Sequence, residues 1–227
     1  MMTRLRDWWA SAGPILGRRV FDSLLWRLPD HAARTAALTF DDGPHPESTP
    51  RLLDVLGRWG LPATFFLVGE RVQRHPELVR AILAAGHEVG NHSWSHRDPW
   101  RLARRDMVQE FRDTSRLLAD LVGHAPNWLR PPFGHFSLPL IAWCRRRGIR
   151  PVMWDTVAND YHPAEVATLS RQLLTRIHAG SVILLHDNAI AAPQTPAMLT
   201  TCLPRLIDGG WTFQPLPVAA RWTPARC

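Results

Sequence analysis

From Ala36 onward the chain alternates between two hydrophobic rhythms. Short, almost unbroken apolar runs such as Ala36-Ala-Leu-Thr-Phe40, Ala63-Thr-Phe-Phe-Leu67 and Val182-Ile-Leu-Leu185 have the length and the β-branched or aromatic content of strands buried on both faces. Longer stretches between them repeat apolar residues at the helical period. This pattern predicts strands near 36–41, 63–68, 87–91, 127–131, 150–154, 181–186 and 211–216, and helices near 48–59, 71–85, 100–122, 137–147, 163–178 and 195–208. Pro76 interrupts the second helical stretch and marks its true start, because proline suits a first helical turn and not a helix interior.

Strands alternating with helices imply a parallel sheet with crossover helices. Periodicity alone leaves an open sheet and an incomplete barrel equally available. The positions of the chemically interesting residues favour the barrel: Asp41, Asp42, His92, Arg130, Asp155 and His186 all fall at or just past the C-terminal ends of predicted strands, where parallel α/β barrels assemble their sites. The reading is one α/β domain over 36–217, preceded by an amphipathic extension over 1–35 and followed by a tail over 218–227. No linker, repeat or low-complexity segment divides it.

Composition narrows the classes. The chain has 227 residues, 45% of them hydrophobic, enough for a sizeable core and incompatible with a disordered or fibrous protein. Its net charge of +7 comes from 27 basic residues, all arginine. The absence of lysine excludes Schiff-base and phosphate-loop chemistry. The arginines at 101, 104, 105 and 145–147 sit in helix-like stretches at mixed spacing and read as solvated faces, and no nucleic-acid-binding signature accompanies them, so no nucleic acid partner is expected. Cys144, Cys202 and Cys227 have no regular spacing and suggest free thiols.

The first 35 residues offer neither a membrane-spanning run nor a clean signal-peptide core. Leu5, Trp8, Trp9, Val20, Phe21, Leu24, Leu25 and Leu28, flanked by arginines, form an apolar stripe at helical spacing. Two readings follow: contact with a membrane interface, or an N-terminal helix packed across the bottom of the domain. The expected location is the cytoplasm, with peripheral contact to the inner membrane as the variant of that reading. Nothing in the sequence sets the oligomeric state.

The chemistry lies in two motifs. Leu38-Thr-Phe-Asp-Asp-Gly-Pro44 reads as a strand ending in a tight turn, with two like charges side by side whose repulsion separates their pKa values. One carboxylate is placed to bind a metal while its neighbour handles protons. Fifty residues on, His92-Ser-Trp-Ser-His96 supplies two imidazoles four residues apart. Asp42, His92 and His96 together make three nitrogen or oxygen donors with a fourth position left open, the pattern of a catalytic zinc; without a Cys-x-x-Cys pair, a thiolate site is excluded.

With Thr39-Phe-Asp-Asp-Gly-Pro44, His92-Ser-Trp-Ser-His96, Arg130-Pro-Pro-Phe-Gly134, Asp160-Tyr161 and Leu184-Leu-His-Asp187 in order, the chain resembles the NodB-like polysaccharide deacetylases, carbohydrate esterase family four, from about Ala36 to Asp187. The resemblance implies a deformed (β/α) barrel of seven or eight parallel strands and one divalent metal, most often Zn2+, with hydrolytic removal of acetyl groups from an acetylated sugar or glycan. It also implies roles: Asp42, His92 and His96 as metal ligands, Asp41 as general base with Arg130 pairing to it, and His186 as general acid protonating the departing amine. Asp160 would orient His186, preferred over Asp155 because Tyr161 follows it. The Phe133 backbone N–H would stabilise the oxyanion, and Tyr161 and Leu184 would line the acetyl methyl pocket.

The expected activity is removal of N-acetyl groups from an oligo- or polysaccharide such as a chitooligosaccharide or peptidoglycan, or from a lipid-linked sugar. Two alternatives stay open: an O-acetyl esterase acting on acetylated xylan-like glycans, and a catalytically silent glycan- or membrane-binding module.

Overall fold

The computed structural model describes residues 24–29 and 34–217. The apolar stripe as far as Phe21 and the tail over 218–227 lie outside the described residues. Strands β1 (Thr35–Asp41), β2 (Ala63–Leu67), β3 (Glu88–Asn91), β4 (Trp128–Leu129), β5 (Arg150–Pro151), β6 (Thr156–Val157), β7 (Ser181–His186) and β8 (Thr212–Phe213) alternate with helices α1 (Ser48–Arg58), α2 (Gly69–Arg74), α3 (Pro76–Ala84), α4 (Arg104–Val122), α5 (Leu138–Arg147), α6 (Val166–Arg176) and α7 (Thr195–Asp208). Every strand pair is parallel. Seven strands run in the order β5-β4-β3-β2-β1-β7-β6, and β8 adds to the start of β1. The result is a half-barrel with helices outside it, the deformed barrel the motifs imply.

Period-two alternation along the central strands sorts their side chains. Ala36, Leu38 and Phe40 of β1, Ala63, Phe65 and Leu67 of β2, and Ile183 and Leu185 of β7 join the outer core with Leu52, Leu56, Ile82 and Leu199 of the helices. Ala37, Phe66, Trp128, Val152 and Val182 form a second, inner cluster. Burying a side chain such as Phe40 contributes about 2–3 kcal/mol. The same alternation leaves Thr39 and Asp41 of β1, and Leu184 and His186 of β7, out of the outer core. Their register is direct: Thr39 pairs with Leu184, and Asp41 with His186.

Several boundaries differ from expectation for local reasons. The stretch predicted over 71–85 is two helices, because His75 (φ −134°, ψ 56°) breaks the path and Pro76 opens α3. The helix predicted from 100 starts at Arg104, after a 3₁₀ turn over Pro99–Arg101 whose first free N–H, that of Trp100, is capped by Asp98. The strand predicted over 150–154 ends at Pro151, and β6, which the pattern missed, starts at Thr156.

That early ending coincides with an insertion from the N-terminal segment. Leu25 donates its N–H to Pro151 O at 2.9 Å and accepts from Met153 N at 2.8 Å, and Leu28 N donates to Gly180 O at 2.9 Å. Leu25 bridges Val152 and Arg27 bridges Ser181, so residues 24–28 link the β5 end of the sheet to the start of β7. Leu24, Leu25 and Leu28, read from spacing as part of a helical stripe, are not helical and are buried here. Tertiary pairing overrides the helical spacing because each of their apolar side chains is fully used in the core.

Candidate active site

Strand ends assemble the site. Asp41 closes β1, and Asp42 follows with φ 77°, a left-handed backbone that aspartate tolerates better than most residues. Gly43 is required next, since a Cβ there would lie 2.4 Å from Asp187 Oδ2. His92 follows the last residue of β3, and Arg130 the last residue of β4. The two are tied together: Arg130 N donates to Asn91 O at 2.9 Å, and His92 Nδ1 lies 2.7 Å from the Arg130 carbonyl. Because a carbonyl only accepts, Nδ1 of His92 carries the proton and Nε2 presents a lone pair.

The segment from His92 to His96 is a loop rather than a helix, with left-handed φ of 65° at Ser93 and 57° at His96. Glu110 of α4 holds it by accepting from Trp94 N at 3.0 Å, Ser95 N at 2.7 Å and Ser95 Oγ at 2.7 Å. Asn91 braces it from below, accepting from Ser93 N at 2.8 Å while its amide donates to Phe111 O at 2.7 Å.

These supports converge three ligand atoms. One donor atom each from Asp42, His92 and His96 lies within 4.8 Å of the others, with His96 Nε2 at 3.0 Å and His92 Nε2 at 3.5 Å from Asp42 Oδ1. Asp42 Oδ1 is buried and has no hydrogen-bond partner. A lone pair of His92 Nε2 thus faces an orphaned carboxylate oxygen, an arrangement that is costly without a cation between them. The donor set fits a divalent metal. Asn188 donates to Oδ2 of the same carboxylate at 2.8 Å and fixes its orientation.

Beside this cluster stand two pairs. Arg130 is fully buried and all its contacts are fixed: Nη1 donates to Asp41 Oδ1 at 2.7 Å and Thr39 Oγ1 at 2.8 Å, Nη2 to Met153 O at 2.9 Å, and Nε to Val152 O at 3.2 Å. Its guanidinium lies 4.2 Å from the Phe66 ring centroid. Asp41 thereby spends one oxygen on arginine, while Oδ2 lies 3.7 Å from His92 Nε2.

The second pair is His186 with Asp160. Nδ1 of His186 lies 2.8 Å from Asp160 Oδ1, and the backbone N of His186 donates to Asp160 Oδ2 at 2.8 Å. Thr195 Oγ1 donates to Oδ2 at 2.7 Å, and Gln194 Nε2 to the Asp160 carbonyl at 2.8 Å. Burial alone would lower the His186 pKa; the Asp160 carboxylate, backed by Asp42 and Asp41, reverses this and raises it to about 9.

Asp155 is not part of this constellation. The sequence placed it at a strand C-terminus, but the chain turns after β5, so Asp155 precedes β6 and meets the N-terminal end of β7. There it accepts from Val182 N at 3.0 Å and pairs with Arg27 at 2.9 Å and His178 at 3.1 Å. Tyr161 does reach the site, its ring edge-on to His186 with centroids 5.6 Å apart. Leu184 is buried on β7 opposite Thr39. Phe133 turns with φ 60° and is exposed, its ring 5.0 Å from that of His96. Thr39, Asn91, Glu110, Asn188 and Thr195 escaped the sequence reading. Asn91 and Asn188 lie within two residues of motif histidines, whereas nothing local marks Glu110.

Comparison with known proteins identifies the family. The family model described as polysaccharide deacetylase matches residues 29–152. A chitooligosaccharide deacetylase of Bradyrhizobium sp. (strain ANU 289) is 34% identical over 196 residues, spanning 81% of this chain and 90% of that protein. A peptidoglycan-N-acetylglucosamine deacetylase of Bacillus cereus is 34% identical over 182 residues, 80% of this chain and 66% of its own length. Among solved structures, the Bc1960 peptidoglycan N-acetylglucosamine deacetylase superposes with a TM-score of 0.82 at 31% identity, covering 86% of this chain and 91% of its own. On sequence and fold, this chain belongs to the polysaccharide deacetylase family of hydrolases.

Proposed function

We propose that this chain is a metal-dependent deacetylase that hydrolyses the N-acetyl group of an N-acetylhexosamine within a glycan. The observation that carries the reading is the division of labour around the Asp42, His92 and His96 cluster. One carboxylate, Asp41, is anchored by a buried arginine with its second oxygen turned to the cluster, and one imidazole, His186, is anchored by a buried carboxylate.

A divalent ion held by Asp42, His92 and His96, most simply Zn2+, supplies Lewis acidity toward an acyl carbonyl and toward water. Asp41 takes a proton from the attacking water on Oδ2, its Oδ1 being committed to Arg130, whose buried guanidinium holds the carboxylate aimed. His186, charged at neutral pH through Asp160, delivers a proton to the departing amine, the bond that makes N-deacetylation harder than ester hydrolysis. The left-handed turn at Phe133 presents its backbone N–H as the donor for the tetrahedral oxyanion. Tyr161 and Leu184 flank the acetyl methyl.

The relatives named as chitooligosaccharide and peptidoglycan-N-acetylglucosamine deacetylases support the amide over the ester reading. The test is acetate release from an acetylated chitooligosaccharide and an acetylated xylan by the protein as purified, after chelation and after zinc is restored, with Asp41→Asn alongside. Metal-dependent release from the first substrate supports the proposal. Release only from xylan establishes the esterase, and release from neither by folded, zinc-loaded protein points to a binding module.

A further inference from the structure

Asn188 stands one residue past Asp187, whose N–H donates to Asp41 O at 2.7 Å. Because β7 runs beside β1 with His186 opposite Asp41, residue 188 comes to lie beside residue 42. The backbone there is already pinned. Arg71 Nη1 donates to Asp42 O at 2.5 Å, and Val68 N donates to Gly43 O at 2.9 Å. What stays free is rotation of the Asp42 carboxylate, and with it the number of oxygens offered to a cation.

The Asn188 amide sets that number. Its Nδ2 donates to Asp42 Oδ2 at 2.8 Å, while its Oδ1 accepts from Ile190 N at 2.9 Å and Ala191 N at 3.0 Å. Turned over, the amide would set its oxygen against a carboxylate and its NH2 against two backbone N–H groups, so the main chain fixes which end faces Asp42. The turn is itself rooted. Ala192 N donates to Asn188 O at 2.9 Å, and Ala191 and Ala192 are buried on the way into α7. Asp42 Oδ2 is thus engaged by a fixed donor. Oδ1 has no hydrogen-bond partner among the described residues and faces Nε2 of both His92 and His96.

A carboxylate that turns both oxygens to a cation fills two coordination positions. One that offers a single oxygen fills one, and beside two imidazoles that leaves a divalent ion room for water and an acyl oxygen. We propose that Asn188 is a positioning residue that holds Asp42 as a one-oxygen ligand, so that the turn after β7 sets the cation's coordination number. This rests on the metal-dependent reading and adds the residue that controls the ligand. Without the Asn188 donor, Oδ2 is free to chelate, and an ion that favours more oxygen ligands, such as Mn2+, gains on zinc.

The test variant is Asn188→Ser. A serine hydroxyl still accepts from the backbone N–H two residues on and keeps the turn, but it ends one bond short of Nδ2 and cannot reach Asp42. Competition with a chromophoric chelator should show zinc bound about 10–100-fold more weakly. The ratio of the Mn2+ to the Zn2+ dissociation constant should fall by about tenfold. X-ray absorption at the zinc edge should show a one-oxygen carboxylate in the unmodified protein and a two-oxygen carboxylate in the variant. Both ions weakened equally, with the ratio unchanged, overturns the proposal, because a merely structural loss does not discriminate between them. If the variant does not fold, the zinc edge of the unmodified protein decides: two carboxylate oxygens on the ion overturn the proposal, and one supports it. An unmodified protein that binds no zinc overturns the metal reading and this one with it. One that binds zinc yet releases no acetate overturns the deacetylase reading alone, and the ratio still decides the part played by Asn188.

Discussion

Arg130 and Asp41 form a buried ion pair, Nη1 to Oδ1 at 2.7 Å, in which the arginine has no exposed surface at all. The pair joins the first strand to the loop after the fourth, 89 residues apart. Each charge is tolerable only because the other is present and because Thr39, Val152 and Met153 accept three more of the guanidinium protons.

Removing one partner therefore has unequal effects. Arg130→Ala leaves a buried carboxylate uncompensated and a large cavity, and is expected to destabilise the protein by about 3–5 kcal/mol. Asp41→Asn keeps an oxygen for Arg130 but loses the proton acceptor. Its acetate release should fall by about 10²–10⁴-fold while the fold is retained. Urea denaturation of both variants with parallel acetate assays checks this; an Arg130→Ala protein as stable as its parent contradicts it.

Metal binding should track the three convergent donors. His96→Ala removes the imidazole 3.0 Å from Asp42 Oδ1 and should weaken zinc affinity by at least about 100-fold, read by competition with a chromophoric chelator. Zinc at 100 times its dissociation constant should stabilise the unmodified protein by about 2.7 kcal/mol. The same zinc should barely move the thermal midpoint of the variant.

Asp160 and Asp155 should separate cleanly. Asp160→Asn withdraws the charge that raises His186 to about 9, so His186 gives up its proton at lower pH. The alkaline limb of the kcat profile should move down by about one unit or more, with kcat at neutral pH reduced by about 100-fold. Asp155→Asn leaves Arg27 and His178 without their carboxylate at the far end of β7; it should lower the melting temperature and leave the pH profile where it was.

Asp187 offers a stability measurement. Burial pushes its carboxyl up to about 7, against a hydrogen bond donated by Thr49 Oγ1 at 2.6 Å, and its Oδ1 has no partner. A carboxyl with a raised folded pKa binds more protons folded than unfolded between about pH 4 and 7, so it costs stability as pH rises through that window. Asp187→Asn removes the titrating group and keeps an acceptor for Thr49. In chelated protein, the variant should therefore gain on its parent between pH 5.5 and 8, by an amount on the order of 1–3 kcal/mol in thermal denaturation. An unchanged difference at the two pH values refutes this.

The strands that carry the site were legible because their signal is local. A run such as Val182-Ile-Leu-Leu185 needs only its own composition to announce a doubly buried strand, and the turn after Asp42 is written in Gly43 and Pro44. The motif order then named the metal donors Asp42, His92 and His96, and the structure brings them together. Two-residue strands lack such a signal: β6 contributes only Thr156 and Val157, too short to show a period.

What the sequence by itself determined is the inventory: an alternating α/β chain, its central strands, and the acids, imidazoles and arginine that stand at their ends. Tertiary structure alone decided the partnerships. It put Asp155 at the opposite end of β7 from His186, drew Leu25 and Leu28 out of a helical spacing into the gap beside β5, set Glu110 beneath the His92 loop, and brought Asn188 against Asp42. The reason is physical: hydrophobic period depends on neighbours along the chain. Which side chain meets which depends instead on strand register and on where each crossover returns, and those are settled only when the whole core closes.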